Sequence, residues 1–288
     1  MMLREFAPAK INLSLHVGPP GADGRHPLES IVAFANVGDW IWAEESDRPS
    51  LRLAGPFAGA LAHEQDNLVV RAARLLAKEA GVRTGVTITL DKHLPIASGV
   101  GGGSADAAAT LRILNRLWSL DWSLDDLARL AAELGADTPA CVLSRSCVMS
   151  GGGERLAPLT LPSLEAVLIN PMVPAATALV YAQFDKMGPR KPLAPLPAPD
   201  WPDAAAAIEG LCRLRNDLTA AAVAIAPAIA DVVAALRAAP GARIARLSGS
   251  GATMYALADS AAVAHEVAEG VRRQRPDWWV RTARLADS

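Results

Sequence analysis

Leu94-Pro-Ile-Ala-Ser-Gly-Val-Gly-Gly-Gly-Ser-Ala-Asp-Ala-Ala-Ala109 decides how this chain is read, because a glycine-rich loop there runs straight into an alanine-rich helix. Upstream, Val86, Ile88 and Leu90 alternate with Thr87, Thr89 and Asp91, the period-two pattern of a half-buried strand. Downstream, Ala107, Leu111, Leu114 and Trp118 fall on one face of a helix. The stretch therefore reads strand, loop, helix. Gly99, Gly101, Gly102 and Gly103 let the backbone take positive φ and approach a ligand closely. The first N–H groups of a helix lack intrahelical partners and carry the positive end of its dipole, so an anion of phosphate type belongs at this turn.

A tight strand-to-helix turn would account for one or two glycines, but not for four within five positions. No Gly-Lys-Ser/Thr follows, which excludes a Walker loop, and the sixth position is Ser104 where a dinucleotide fingerprint needs Gly or Ala. The HRD and DFG signatures of protein kinases are missing as well.

The totals narrow the partners. The chain has 288 residues, enough for one large or two medium domains, and two are expected. Lys and Arg number 28 against 30 Asp and Glu, a net charge of −2 that gives no case for a nucleic-acid backbone. Residues 166–184 form the longest uncharged run, but Asn170, Pro171 and Pro174 interrupt it, so it reads as strand, turn and helix and not as a membrane span. Arg4, Glu5 and Lys10 leave no room for a signal peptide, so a cytoplasmic protein is expected. Cys141, Cys147 and Cys212 and the five histidines show no metal-site spacing, and no structural metal is expected.

Along the chain, Ile11, Leu13, Leu15 and Val17 alternate as a first strand with Lys10 at its entrance, and residues 30–42 return as strand closing near Gly38-Asp39. Residues 66–80 read as a helix stopped by Gly81, with Leu68, Ala72, Leu75 and Leu76 inward. Ser123-Leu-Asp-Asp126 is a capping box opening a helix to Leu134, and Asp137 reads as the cap of the next helix. Ser150-Gly-Gly-Gly-Glu154 is a strand-to-strand turn, and the six prolines between Lys186 and Pro202 mark a loop. A helix over 227–239, strands at 244–247 and 253–257 around the turn Ser248-Gly-Ser-Gly251, a helix over 261–274 and a strand over 278–284 follow.

The stretch 95–108 resembles the ATP-binding motif of the GHMP small-molecule kinases. Ala7-Pro-Ala-Lys-Ile-Asn-Leu-Ser-Leu15 is similar to that family's N-terminal motif, and Leu247-Ser-Gly-Ser-Gly-Ala252 to its third. Ala22-Asp-Gly-Arg-His26, Asp66-Asn-Leu-Val-Val-Arg-Ala-Ala73, Gly135-Ala-Asp-Thr-Pro139 and Asn216-Asp-Leu218 resemble the members that act on a diphosphocytidyl sugar alcohol. The resemblance implies an α+β fold in two parts: a ribosomal-S5-domain-2-like nucleotide domain over 1–160 and a ferredoxin-like domain over 161–288. It implies transfer of the ATP γ-phosphoryl to the substrate's 2-hydroxyl, a step of non-mevalonate isoprenoid synthesis, with Mg²⁺ held mainly by the nucleotide and Ser104 the nearest protein donor. A monomer or weak homodimer acting on a small molecule is expected.

The same resemblance implies roles for single residues. Lys10 and Asp137 are the catalytic pair, Asp137 as general base. Pro95, Ile96, Ala97, Ser98, Gly99, Val100, Gly101, Gly102, Gly103 and Ser104 bind ATP phosphates, with Asn67 and Lys92 near adenine and ribose. Asn12, Arg25, His26, Thr177 and Tyr181 contact the acceptor, His26 and Tyr181 at the cytidine end. The family usually has an aromatic residue before the histidine, where this chain has Arg25. Relatives acting on homoserine, mevalonate or a sugar, and a non-catalytic binding protein on the same fold, are the alternatives. Ala22–His26 with Gly135–Pro139 argue against the first, retention of Lys10 and Asp137 against the second.

Overall fold

The computed structural model describes residues 2–22, 24–64, 66–188, 193–196 and 199–286. Its elements begin with β1 (Met2–Asn12), β2 (His16–Val17), β3 (Leu28–Ser46), β4 (Ser50–Ala54), α1 (Ala58–Leu61), α2 (Leu68–Ala80) and β5 (Gly85–Asp91). Next come α3 (Gly102–Leu117), α4 (Leu124–Ala131), α5 (Thr138–Leu143), β6 (Cys147–Gly151), β7 (Arg155–Pro158), β8 (Leu164–Asn170) and α6 (Thr177–Lys186). The chain ends through α7 (Ala204–Cys212), α8 (Thr219–Ile225), α9 (Ala228–Ala238), β9 (Ile244–Leu247), β10 (Met254–Ala258), α10 (Ala261–Gln274) and β11 (Trp279–Leu285).

Two compact units form. One holds Met1–Ala9, Gly38–Ile96 and Gly101–Ser144, the other Lys10–Val37, Ala97–Val100 and Arg145–Ser288. This division cuts across the sequential one at residue 160, because the glycine loop and the strands β1 and β3 each give residues to both units.

In the first unit, β5 lies between the second half of β3, antiparallel from Trp40↔Asp91, and β4, parallel from Ser50↔Thr87. Helices α2, α3, α4 and α5 pack together. Alanines let them approach: Ala107, Ala108, Ala109 and Leu111 of α3 are wholly buried. Asn67 caps α2, its Oδ1 accepting from Val69 N at 2.9 Å, and Gly81 closes the helix at φ 67°. The capping box at Ser123 and Asp126 forms as its spacing predicts.

In the second unit, β8 joins β10 and β11, and β10 joins β9, all antiparallel, in the order β11-β8-β10-β9. Counting β8 as first, the order is 4-1-3-2, with α6 to α9 between β8 and β9 and α10 between β10 and β11, the ferredoxin-like strand order expected. The other face of its core is closed by α8, α9 and α10 around Val167, Ile169, Ile229, Val232 and Val267. The first half of β3 pairs with β2 and β6, and β6 turns into β7 through the 150–154 glycines as read.

Several elements differ from their reading. β1 begins at Met2, so Lys10 stands near the end of a strand and not at its entrance, and every residue from Ala7 to Val17 is buried, on both faces. β3 runs unbroken through Gly38-Asp39. Gly38 has no Cβ to meet Ala7 O, which would lie 2.2 Å away, so it is a close approach between strands and not a turn. α2 buries Val69, Ala72, Ala73 and Leu76, one residue off the face read. α4 ends at Ala131 in short i→i+3 turns before Gly135. Pro189, Pro192 and Pro197 of the proline run lie outside the described residues, while the described parts carry no helix or strand until α7, which Asp203 caps. No helix among the described residues is long and apolar enough to cross a membrane.

Candidate active site

The glycine loop starts from a strand end that is firmly tied down. Asp39 of β3 accepts from the backbone N–H of His93 and Leu94 at 2.5 and 2.8 Å through Oδ1, and from Lys92 Nζ at 2.6 Å through Oδ2. Lys92 Nζ also donates to Asp106 Oδ2 at 2.5 Å. Lys92, Asp39 and Asp106 are 2%, 0% and 3% exposed. Burial pushes Asp106 up to about 8, with the Asp39 charge adding and the Lys92 ammonium opposing. Burial alone would lower Lys92, but the two carboxylates outweigh it and hold its ammonium charged above the usual range.

The helix that follows has an open N-terminus. Gly101 is its N-cap at φ 62°, and as a glycine it brings no side chain to cap the first turn. Gly101, Gly102 and Ser104 are partly exposed and Gly103 fully so. Donors of Gly102, Gly103 and Ser104 therefore face outward at the positive end of a 16-residue helix, the arrangement that takes a phosphate.

Asp137 stands at the start of α5 but makes no capping bond to it, so the reading as a plain helix cap does not hold. It is half-buried. Pro139 supplies the preset φ of the first turn instead. The other end of α5 is gripped by Arg112 of α3, which donates to Cys141 O at 2.7 Å and Val142 O at 3.2 Å, and also to Phe6 O and Glu5 Oε1 of β1.

In the second unit the middle of the loop rests on the Ser248–Gly251 turn. Ser248 Oγ donates to Gly99 O at 2.8 Å, Thr253 N to Ser98 O at 2.9 Å, and Asn12 N to Ser248 Oγ at 3.1 Å. Lys10 N donates to Val100 O at 2.9 Å. The N-terminal, central and C-terminal motifs thus meet here, around Lys10, Asn12 and residues 97–100. Asn12 Oδ1 and Ser98 Oγ are buried without a hydrogen-bond partner. A second cluster holds two of the residues expected at the acceptor, His26 and Tyr181: His26 Nδ1 donates to Gly18 O at 2.8 Å, its Nε2 lies 3.2 Å from Asp185 Oδ1, and its ring is 5.2 Å from that of Tyr181. Arg25 beside it is exposed. Thr177 Oγ1 lies 2.9 Å from Ser250 Oγ, which joins the start of α6 to the same glycine turn.

Comparison with known proteins accords with this geometry. The family described as GHMP kinases N terminal domain matches residues 67–145, and GHMP kinases C terminal matches 193–277. A 4-diphosphocytidyl-2-C-methyl-D-erythritol kinase of Caulobacter vibrioides is 44% identical over 290 residues, covering 99% of this chain and 100% of its own. The enzyme of that name from Paracoccus denitrificans is 48% identical over 284 residues, covering 98% and 97%. The chain belongs to the 4-diphosphocytidyl-2-C-methyl-D-erythritol kinase family of GHMP kinases. A crystal structure of a 4-(cytidine 5'-diphospho)-2C-methyl-D-erythritol kinase superposes with a TM-score of 0.79 at 33% identity, over 99% of this chain and 100% of that one. The family fold, two domains of mixed α/β structure, and its ATP-dependent small-molecule kinase chemistry are therefore this chain's own.

Of the two residues expected near adenine and ribose, Lys92 is buried with its Nζ bonded to Asp39 Oδ2 and Asp106 Oδ2. Asn67 has Oδ1 on the helix cap and Nδ2 on Glu64 Oε2 at 2.8 Å. The contacts of Asp39, Arg112, Asp185 and Ser250 were not expected from the sequence. Asp39 did leave a signal: a lone carboxylate in the apolar run Val37-Gly-Asp-Trp-Ile41 must be buried and so needs partners. The other three act through contacts distant in sequence, which spacing does not show.

Proposed function

We propose that this chain transfers the γ-phosphoryl of ATP to the 2-hydroxyl of 4-diphosphocytidyl-2-C-methyl-D-erythritol, in the non-mevalonate route to isopentenyl diphosphate. The observation that carries the phosphotransfer is the uncapped, accessible start of α3 behind its glycine loop. The specific acceptor rests on relatives of that name that match nearly the whole chain.

Residues 95–104 hold the triphosphate by backbone donors, and Asn67 borders the nucleoside. Asp137, at the start of α5, accepts the proton of the 2-hydroxyl as the hydroxyl oxygen attacks the γ-phosphorus; the bond to the β–γ bridging oxygen breaks and ADP leaves. Lys10 offsets negative charge on the transferred group. Asn12, Arg25, His26, Thr177 and Tyr181 bind the acceptor, the His26 and Tyr181 rings forming an aromatic wall for the base. Mg²⁺ would offset phosphate charge and would be held mainly by the nucleotide, since no group of three or more metal-ligating side chains occurs among the described residues. Ser104, on the first turn of α3, is the nearest side-chain donor. The enzyme works as a monomer or weak homodimer in the cytoplasm.

ADP release measured across diphosphocytidyl-methylerythritol, homoserine, mevalonate and galactose tests the assignment. The cytidine compound is expected to give the highest kcat/KM, and faster turnover of any of the others would overturn it.

A further inference from the structure

The glycine loop holds an unfavourable backbone shape: Ala97, Gly99 and Gly101 all have positive φ, and alanine adopts that conformation only when its surroundings enforce it. Its two ends converge on one buried group. At the entry, Asp39 Oδ1 takes both the His93 and Leu94 N–H groups. At the exit, Lys92 Nζ reaches Asp106 on α3, and a Cβ on Gly102 would stand only 3.1 Å from that ammonium. The start of α3 therefore sits directly against Lys92.

The geometry points to Asp39 and Asp106 as positioning residues for the nucleotide's phosphates, acting through Lys92 to fix where the loop leaves β5 and where α3 begins. This rests on the loop being the nucleotide site. A helix start shifted by a fraction of an ångström re-aims the Gly102, Gly103 and Ser104 N–H groups, and phosphate binding through backbone donors depends on that aim. The two carboxylates are not equivalent. Asp39 uses both oxygens for three donors, so an asparagine there must turn its NH₂ either to the ammonium or to the loop N–H groups, donor against donor. Asp106 uses only Oδ2, and its Oδ1 has no partner, so an asparagine there still offers one oxygen to Lys92.

The test is calorimetry with ADP on Asp39→Asn, Asp106→Leu and Asp106→Asn, with the KM for the cytidine substrate measured on the same preparations. Asp39→Asn and Asp106→Leu are expected to weaken ADP binding about tenfold to a hundredfold, with the cytidine KM moving less than about twofold. Asp106→Asn should recover most of the loss seen in Asp106→Leu. A folded Asp39→Asn with wild-type ADP affinity, or equal change in both constants, overturns the proposal. Should Asp39→Asn not fold, equal ADP affinities in Asp106→Leu and Asp106→Asn overturn it instead. ADP binding does not involve the acceptor, so wild-type protein that binds ADP yet does not phosphorylate the cytidine compound contradicts the acceptor assignment alone.

Discussion

Replacing Gly99 by alanine should damage activity far more than stability. Gly99 has φ +75°, and a Cβ there would meet Ser248 O at 2.3 Å and Gly251 N at 2.7 Å. Ordinary contact begins near 3.4 Å, so the loop must retreat by about 1 Å. That retreat loosens the bonds Ser248 Oγ to Gly99 O and Thr253 N to Ser98 O. The left-handed backbone costs alanine about 1–2 kcal/mol, and two weakened hydrogen bonds roughly 0.5–1.5 kcal/mol each, a loss of about 2–5 kcal/mol. Misplacing a binding group by about 1 Å commonly costs on the order of a hundredfold in rate, so kcat/KM for ATP should fall about that much. Steady-state kinetics with varied ATP, beside urea unfolding, measures both. Gly81→Ala is the control: φ is +67° but nothing lies within 4 Å, so it should lose about 1–2 kcal/mol and keep its kinetic constants. A Gly99→Ala variant with kcat/KM for ATP within twofold of wild type would refute the close approach of loop and turn.

Three further outcomes follow from the site. Lys92→Met leaves the buried Asp39 carboxylate without its ammonium and Asp106 without its donor, and should cost about 3–5 kcal/mol, a drop in Tm of roughly 6–20 °C on calorimetry; a shift under about 2 °C would mean the triad is not buried as described. Asp106, raised by burial, keeps in the folded chain a proton that the unfolded chain has lost above its ordinary value, so stability falls as pH rises from about 4 to about 8. Urea midpoints between pH 5 and 8 should therefore drop more steeply in wild type than in Asp106→Asn, and parallel curves would contradict this. Asp137→Asn should lower kcat about a hundredfold to ten-thousandfold while leaving ADP affinity in place, and near-normal turnover would remove Asp137 as the base.

How much of this was legible in the sequence depends on the range of each interaction. The strand, loop and helix over 85–117 follow from local periodicity and glycine spacing, and the cap at Ser123 from side-chain chemistry within three residues. The ferredoxin-like order of β8–β11 came through resemblance, since strand pairing is not local. Lys10 was misplaced along its strand because residues 2–9 do not alternate cleanly, so the start of β1 at Met2 leaves no periodic signal. The short α7 and α8 follow proline and asparagine turns and are mostly alanine and aliphatic, so they carry little helical periodicity. Lys92 shows the limit most plainly: its partners lie 53 and 14 residues away, and only the folded chain shows that its charge is already spent.

Phosphorus NMR of the product most directly tests the central claim. The protein incubated with ATP, Mg²⁺ and 4-diphosphocytidyl-2-C-methyl-D-erythritol should yield one equivalent of a new phosphomonoester per ADP, its single signal without P–O–C–H coupling because the 2-carbon bears no hydrogen, with the cytidine diphosphate signals retained. ADP formed without that phosphomonoester, or a phosphate placed on another hydroxyl, would contradict it.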